Sequence, residues 1–403
     1  MKPFEGINIL DFTWIGTGPL SVNYLNFYGA TTIKVESALR PDPFRFSTPY
    51  KGGKISAETS YGFHHVHTTK SMDITLNMKN PKAKAIAVRL IKWADVVFES
   101  FTPGAMEDMG LGYEDLKKIK PEIIMMRTCM HGQTGPLARQ PGLGFMLTAI
   151  SGLAPLTGWP DRPPSGQYFA FTDFVAPLFN AFCLMAALDY RRRTGRGQML
   201  DMSQHESVLR CAGPLLLDAA VNHREYKAGG NRVEYAAPHG IYRCKGEDRW
   251  CAIAVFTDDE WERFCRVIEN PALTESPRFR TLRERKRNED ELDTLIEEWT
   301  IRHSAENVMN TLQAAGVAAG LASNSGDLYD DPHLRHYNAI EELEHPDTGK
   351  TRIYLRPGFT LSESPFERSR PPLLGEHNEH VYVNILGIPD EEFIQLMAEG
   401  VFD

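Results

Sequence analysis

Residues 4–36 read FEGINILDFTWIGTGPLSVNYLNFYGATTIKVE. Ile7–Phe12 is a β-rich run, about Leu20 to Phe27 a helical stretch, and Thr31–Glu36 a second β-rich run. Between the first run and the helix lies a glycine turn, Gly16-Thr17-Gly18-Pro19. A turn of this kind at a strand's C-terminal end is able to cradle phosphate. The alternation continues: Pro81–Trp93 is helical, Asp95–Glu99 a strand, Tyr113–Lys120 a short helix and Ile123–Arg127 a strand. Strands separated by single helices imply right-handed crossovers, hence an α/β fold with a doubly wound parallel sheet.

At 403 residues the chain is long enough for two or three domains. A hydrophobic content of 42% and a charged content of 24% suit a soluble globular protein with a large core. The net charge of −9 argues against general binding to nucleic acid or an anionic membrane, yet leaves room for one small basic pocket. Cys129, Cys183, Cys211, Cys244, Cys251 and Cys265 form no CxxC pair and read as reduced, buried thiols in a cytoplasmic protein. The N-terminal stretch carries Glu5 and Asp11 and lacks the apolar run of a signal peptide. The charge-free run Gln140–Pro160 is interrupted by glycines and prolines too often for a membrane helix.

Residues 231–321 have a different character. Gly240–Cys244 and Trp250–Val255 alternate around KGED as a hairpin, and Thr257 with Glu260 forms a capping box. Trp261, Phe264, Cys265 and Ile268 follow at helical spacing. This predicts a small α+β domain over 226–325, inserted between a large domain, 1–225, and a return segment, 326–403. Phe174–Leu188 is apolar on every side, which predicts a helix buried at a domain centre or a subunit interface.

Several residues suggest chemistry. Glu36 stands where a dinucleotide fold places its ribose-binding acid, but Ser21 breaks the GxGxxG pattern and Pro19 removes an amide. His64, His65 and His67 lack metal-ligand spacing and a nearby acid, so packing or hydrogen bonding is the better reading and no metal is expected. His131 is a lone loop histidine and a candidate base. Asp173 lies between Phe171 and Phe174 at the mouth of the apolar helix. As an N-cap it would put Pro177 where an amide should bond back to its carbonyl, which weakens that bland reading. An acid in apolar surroundings is a candidate nucleophile.

Further stretches complete the pattern: ITLNMKNPKAKAIAVRLIKWADVVFESFTPGAMEDMGLGYEDL, IIMMRTCMHGQTGP, DFVAPLFNAFCLMAALDYRRRTGRGQMLDMSQHESVL, DDPHLRHYN, EHPDTG and RPPLLGEHNEHV. With the opening segment, in this order from about Phe4 to Val401, they resemble the class III CoA-transferase family (CaiB/BaiF; the formyl-CoA and carnitine CoA-transferase type). The resemblance implies a Rossmann-like large domain, a smaller domain, and two chains interlocked as a homodimer or as a heteromer with a related subunit. It implies that Asp173 is a catalytic nucleophile passing CoA from an acyl-CoA, such as succinyl-CoA, to a carboxylic acid. It also implies a CoA site at Gly16, Thr17, Gly18, Arg45, Lys70, Ser100, Phe101 and Met109. CoA is then a substrate, with no permanently bound cofactor.

Departures from the family pattern narrow this. Gly16 stands where the formyl-CoA type has glutamine, Asp108 where it has an arginine, and its guarding glycine run is missing after Gly229 and Gly230. Leu143 occupies the position of the catalytic histidine of the related racemases. Phe44, Phe46, Tyr50 and Tyr61 are candidate acyl-pocket residues. An intramolecular CoA-transferase, a racemase and a non-catalytic partner subunit stay open as alternatives.

Overall fold

The computed structural model describes residues 2–56, 59–67, 69–166, 169–354 and 356–403. The chain divides into two units. The larger comprises residues up to Ala154, Gly166–Glu225 and Asn338–Asp403. Its order is β1 (Asn8–Asp11), α1 (Thr17–Asn26), β2 (Thr31–Glu36), α2 (Gly62–Val66), β3 (Ser71–Thr75), α3 (Ala83–Trp93), β4 (Val96–Glu99), α4 (Ala105–Asp108), α5 (Tyr113–Ile119), β5 (Ile124–Cys129), α6 (Gly144–Ile150), α7 (Phe171–Thr194) and β6 (Met199–Ser203).

All six strands are parallel, in the order β3-β2-β1-β4-β5-β6. The order reverses between β1 and β4, and the crevice at their C-terminal ends is where such sheets bind ligands. Both faces of β1, β2, β4 and β5 are covered, so that even the polar strand residues Lys34, Glu36, Glu99 and Arg127 are buried. On one face Leu10, Ile33, Ile74, Val97 and Met125 meet Ile86, Leu90 and Ile91 of α3. On the other Ile9, Val96, Phe98, Ile124 and Met126 meet Val22 and Leu25 of α1 and Ala181 and Leu184 of α7. Each fully buried Leu, Ile or Phe contributes roughly 1.5–3 kcal/mol.

The return segment closes the edge at β3. Asn378 Oδ1 accepts from Thr75 N (2.8 Å), His377 Nδ1 from Asp73 N (3.1 Å), and the Tyr382 hydroxyl donates to Thr75 O (2.7 Å). Backbone donors that an edge strand would expose are thereby satisfied.

The smaller unit comprises Pro155–Ser165 and Tyr226–Tyr337. Its antiparallel sheet joins β7 (His239–Arg243), β8 (Trp250–Ala254) and β9 (Ala318–Leu321). Helices Asp258–Val267, Glu289–Thr300 and Ala305–Ala314 bury Trp261, Phe264, Ile296 and Leu312 against it. The capping box of Thr257 and Glu260 is formed.

Two boundaries differ from the sequence reading. The return point is Asn338 rather than 326, because Arg249 beside the hairpin holds Asp327 at 2.7 Å and keeps the next two short helices with the small sheet. Residues 155–165 join the same unit because Gly158 O accepts from Gly230 N (3.0 Å) and Trp159 lies against Gly230. Proline and glycine content marks turns, not domain membership.

Within the chain α7 is covered on one side only. Ala176, Pro177, Asn180, Ala181, Leu184 and Ala187 face inward, but Phe174, Leu178, Phe182 and Met185 are exposed. An all-round apolar pattern states that both sides need cover, not which neighbour provides it. Of the six thiols, Cys211 is exposed and Cys183 half-buried, so the expectation of uniformly buried cysteines fails there.

Candidate active site

Asp173 sits in the first turn of α7, which starts at Phe171 with Ala170 as N-cap. It is therefore not the cap, but one of the residues whose amides begin the helix, where the backbone dipole favours negative charge. Pro177 lies within the helix. Having no N–H, it leaves the carbonyl of Asp173 without its intrahelical donor.

The Asp173 carboxylate meets three segments. Its Oδ1 accepts from Thr17 Oγ1 at 3.3 Å and from Thr172 Oγ1 at 3.4 Å. Gly16 lies against the side chain; a Cβ there would be 3.6 Å from Asp173 Cβ and Oδ2. Gly144, the first residue of α6, is closer: a Cβ would approach Oδ1 to 2.5 Å. Burial pushes the Asp173 carboxyl above its ordinary value of 3.8, while the two hydroxyls favour the charged form. A half-buried carboxylate at the head of a helix, set against a glycine turn, has the surroundings of an activated nucleophile.

The loop from Phe12 to Gly16 links this carboxylate to a pocket of about 530 Å³ at the C-terminal ends of β1 to β4. Trp14, Phe101 and Met109 form apolar lining, and Arg40 and Lys79 supply positive charge. Trp14 meets Phe101 edge-on at 5.7 Å, and the Arg40 guanidinium lies 5.1 Å from the centre of the indole. Ser100 fixes the loop: its Oγ accepts from Trp14 N at 3.0 Å. Asp108 also lines the pocket.

Phe101 and Met109 thus line this pocket, Ser100 bonds the Trp14 amide, and Gly16 and Thr17 lie against Asp173, whereas Gly18, Arg45 and Lys70 have other surroundings. Gly18 is needed for packing, since a Cβ there would overlap the Thr13 side chain at 2.2 Å. Arg45 is enclosed in an internal ion-pair cluster: it contacts Glu36 (2.7 Å) and Asp73 (2.9 Å), donates to Pro372 O (3.2 Å), and lies over the Phe63 ring. With its donors directed at protein acceptors, it is not open to a phosphate. Lys70 precedes β3 and stands at the N-terminal end of the strands, away from the crevice at their C-terminal ends, since five strand residues span roughly 16 Å.

Glu36, the ribose-acid candidate of a dinucleotide fold, is held by Arg45 and by the amide of Asp42 (2.7 Å), and lies far below its usual pKa through Lys34 and Arg45, despite burial. Trp14, Arg40 and Lys79 were missed by sequence reasoning; the available signal was that each falls just after a β-rich run, at the sheet edge where ligands bind.

The remaining candidates lie elsewhere. His131 packs edge-on against His205 at 5.4 Å, with its pKa lowered by burial and by His205. His64 lies 4.6 Å from His345, and His67 stacks on Phe63 at 4.0 Å; the side chain of His65 lies outside the described residues. Among the described residues no group of three or more His, Cys, Asp or Glu is placed to hold a metal ion. The Tyr61 hydroxyl reaches Thr348 O (3.4 Å), the Tyr50 hydroxyl donates to Phe46 O, and Phe46 is exposed.

Residues 4–378 match the family model described as CoA-transferase family III. The chain belongs to that family. It is therefore a CoA-transferase, an enzyme whose substrates are CoA thioesters and carboxylic acids. Similar members include the succinyl-CoA–D-citramalate CoA-transferase of Chloroflexus aurantiacus, 29% identical over 99% of this chain and 98% of that one. The β subunit of the succinyl-CoA–L-malate CoA-transferase of the same organism is 30% identical, with the same coverage. Among solved structures, a CaiB/BaiF family protein from Brucella suis superposes with a TM-score of 0.87 at 27% identity, covering 95% of this chain and 99% of that one. At the racemase position this CoA-transferase carries Leu143, which is 60% exposed and has no group able to take a proton.

Proposed function

We propose that this enzyme moves CoA from succinyl-CoA to a dicarboxylic acid through a thioester on Asp173. The observation that carries the reading is the half-buried Asp173 carboxylate, held by Thr17 and Thr172 at the head of α7 and linked by the Phe12–Gly16 loop to the Trp14/Phe101 pocket. The named donors and acceptors of the similar Chloroflexus aurantiacus enzymes supply the substrate class.

In this mechanism an Asp173 oxygen attacks the thioester carbonyl, and the C–S bond breaks to release CoA thiolate, leaving a mixed anhydride. The thiolate attacks Cγ of Asp173, forming aspartyl-CoA and freeing the donor carboxylate. The acceptor carboxylate then attacks Cγ and expels the thiolate again. Thiolate attack on the acceptor carbonyl of the second anhydride yields the new acyl-CoA and restores Asp173. No net proton is consumed. The site's tasks are to exclude water and stabilise oxyanions. In the pocket, adenine lies among Trp14, Phe101 and Met109, and Arg40 and Lys79 face the phosphates against an overall net charge of −9.

Two interlocked chains form the working unit in this reading. The exposed apolar residues Phe174, Leu178, Phe182 and Met185 on α7 support a partner chain, and the relative designated a β subunit makes a related second subunit the alternative to a homodimer.

The test is exchange from succinyl-CoA into a panel of dicarboxylic acids, read by mass spectrometry, with Asp173→Ala beside the wild type. Transfer that vanishes in the folded variant, together with hydroxylamine trapping on the Asp173 peptide, supports the reading. Near-normal exchange by Asp173→Ala would falsify it.

A further inference from the structure

Ile15, directly before the glycine turn, has φ 65°. A β-branched residue in the left-handed region is strained, because its side chain crowds the backbone. Such strain persists only where the surroundings impose it, and it concentrates at working sites. Here the imposing group is identifiable. Asp42, fully buried, receives the Ile15 amide on both carboxylate oxygens, at 3.2 and 3.1 Å. The same carboxylate accepts from Phe44 N (3.0 Å) and lies 3.3 Å from Lys34 Nζ. Lys34 in turn donates to Thr13 O (2.7 Å), and Asp11 accepts from Thr13 N (2.8 Å). The backbone is thus clamped on both sides of Trp14, and the strained residue immediately precedes the two that touch Asp173.

We propose that Asp42 is a positioning residue for the transfer reaction: by binding the Ile15 amide it holds the left-handed turn that sets Gly16 and Thr17 against Asp173. This rests on the Asp173 mechanism above. Asp42 itself reaches no reacting atom. Among the described residues each partner of its oxygens (Ile15 N, Phe44 N and Lys34 Nζ) is a donor, so the amide nitrogen of Asn at this position would be driven against Ile15 or Lys34.

The experiment combines Asp42→Asn with Ile15→Gly, since glycine takes positive φ without strain. Asp42→Asn is expected to lower kcat about 30-fold in the Ile15 chain but only about threefold in the Ile15→Gly chain, with KM for succinyl-CoA changed less than about threefold. An equal fractional loss in both backgrounds, or a loss confined to KM, overturns the proposal. A crystal structure of Asp42→Asn gives a readout independent of turnover. Ile15 leaving positive φ, with Gly16 displaced from Asp173, supports the role; an unchanged Ile15 overturns it. If Asp42→Asn does not fold, Ile15→Pro replaces it, because proline has neither the positive φ nor the donor. A kcat close to wild type in that variant overturns the proposal, and a loss of about 100-fold at preserved KM supports it. An inactive wild type, or an active Asp173→Ala, refutes the transfer reading instead, and the conformation of Ile15 then still decides whether Asp42 holds the turn.

Discussion

The Thr17 hydroxyl lies 3.3 Å from Oδ1 of Asp173, joining residues 156 positions apart. The contact ties the start of α1 to the start of α7, so two helix N-termini meet at one carboxylate. It also sets the balance of charge there. Burial raises the Asp173 pKa, and hydrogen bonds from Thr17 and Thr172 oppose the rise.

A pH profile follows from that balance. In the proposed mechanism the nucleophile is the ionised Asp173 carboxylate, whose pKa is raised, so activity is expected above that pKa and lost as pH falls through it. The acid limb of kcat/KM should lie above 3.8. Thr17→Val removes a donor that favours the charged form, so the limb should move to higher pH. A limb that stays in place or moves down would contradict this electrostatic account.

Gly144 is predicted to tolerate no side chain. The added Cβ of Gly144→Ala would stand 2.5 Å from Oδ1 of Asp173 and 2.7 Å from Ala170 Cβ. Displacing a reacting group by about 1 Å costs on the order of 100-fold in rate. Single-turnover kinetics should show that loss with the chain still folded by circular dichroism; wild-type turnover would mean the two segments lie farther apart.

The cations around the Trp14 pocket should govern acyl-CoA affinity rather than chemistry. Arg40→Ala and Lys79→Ala are each expected to raise KM for succinyl-CoA about tenfold, near 1.4 kcal/mol, with kcat little changed. Lys70→Ala, at the N-terminal end of β3 and away from the pocket, should leave KM unaltered. Steady-state kinetics at low and moderate salt would check this, and equal effects at all three positions would place CoA elsewhere.

Beneath the loop, Lys34 is fully buried, 3.3 Å from Asp42, with Asp11, Glu36 and Asp73 acting on it. Lys34→Met leaves those acids without their central cation, and removing one partner of a buried ion pair costs about 3–5 kcal/mol. A clear fall in the thermal midpoint is expected. An unchanged melting curve would show that Arg45 alone balances the cluster.

Much of this protein was legible because its signals are local. The β-rich runs Ile7–Phe12 and Thr31–Glu36 mark β1 and β2, since branched apolar residues such as Ile9, Ile33 and Val35 suit a buried pleated strand. Thr257 and Glu260 mark a helix start, because a capping box is complete within four residues. Asp173 stood out through its apolar neighbours and through the order of motifs along the chain.

What the sequence did not reveal depends on distant partners. Arg45 and Lys70 are equivalent cations in the sequence; two acids on neighbouring strands enclose the first, and the direction of β3 places the second at the N-terminal end of the strands. The left-handed turn at Ile15 and the 2.5 Å clearance at Gly144 likewise arise only when segments far apart in the chain come together. Composition and periodicity determined the alternating elements, because backbone hydrogen bonding and burial act over a few residues. Tertiary structure alone decided which charges stay open to a ligand, because that depends on which acceptors the fold has already brought within 3 Å.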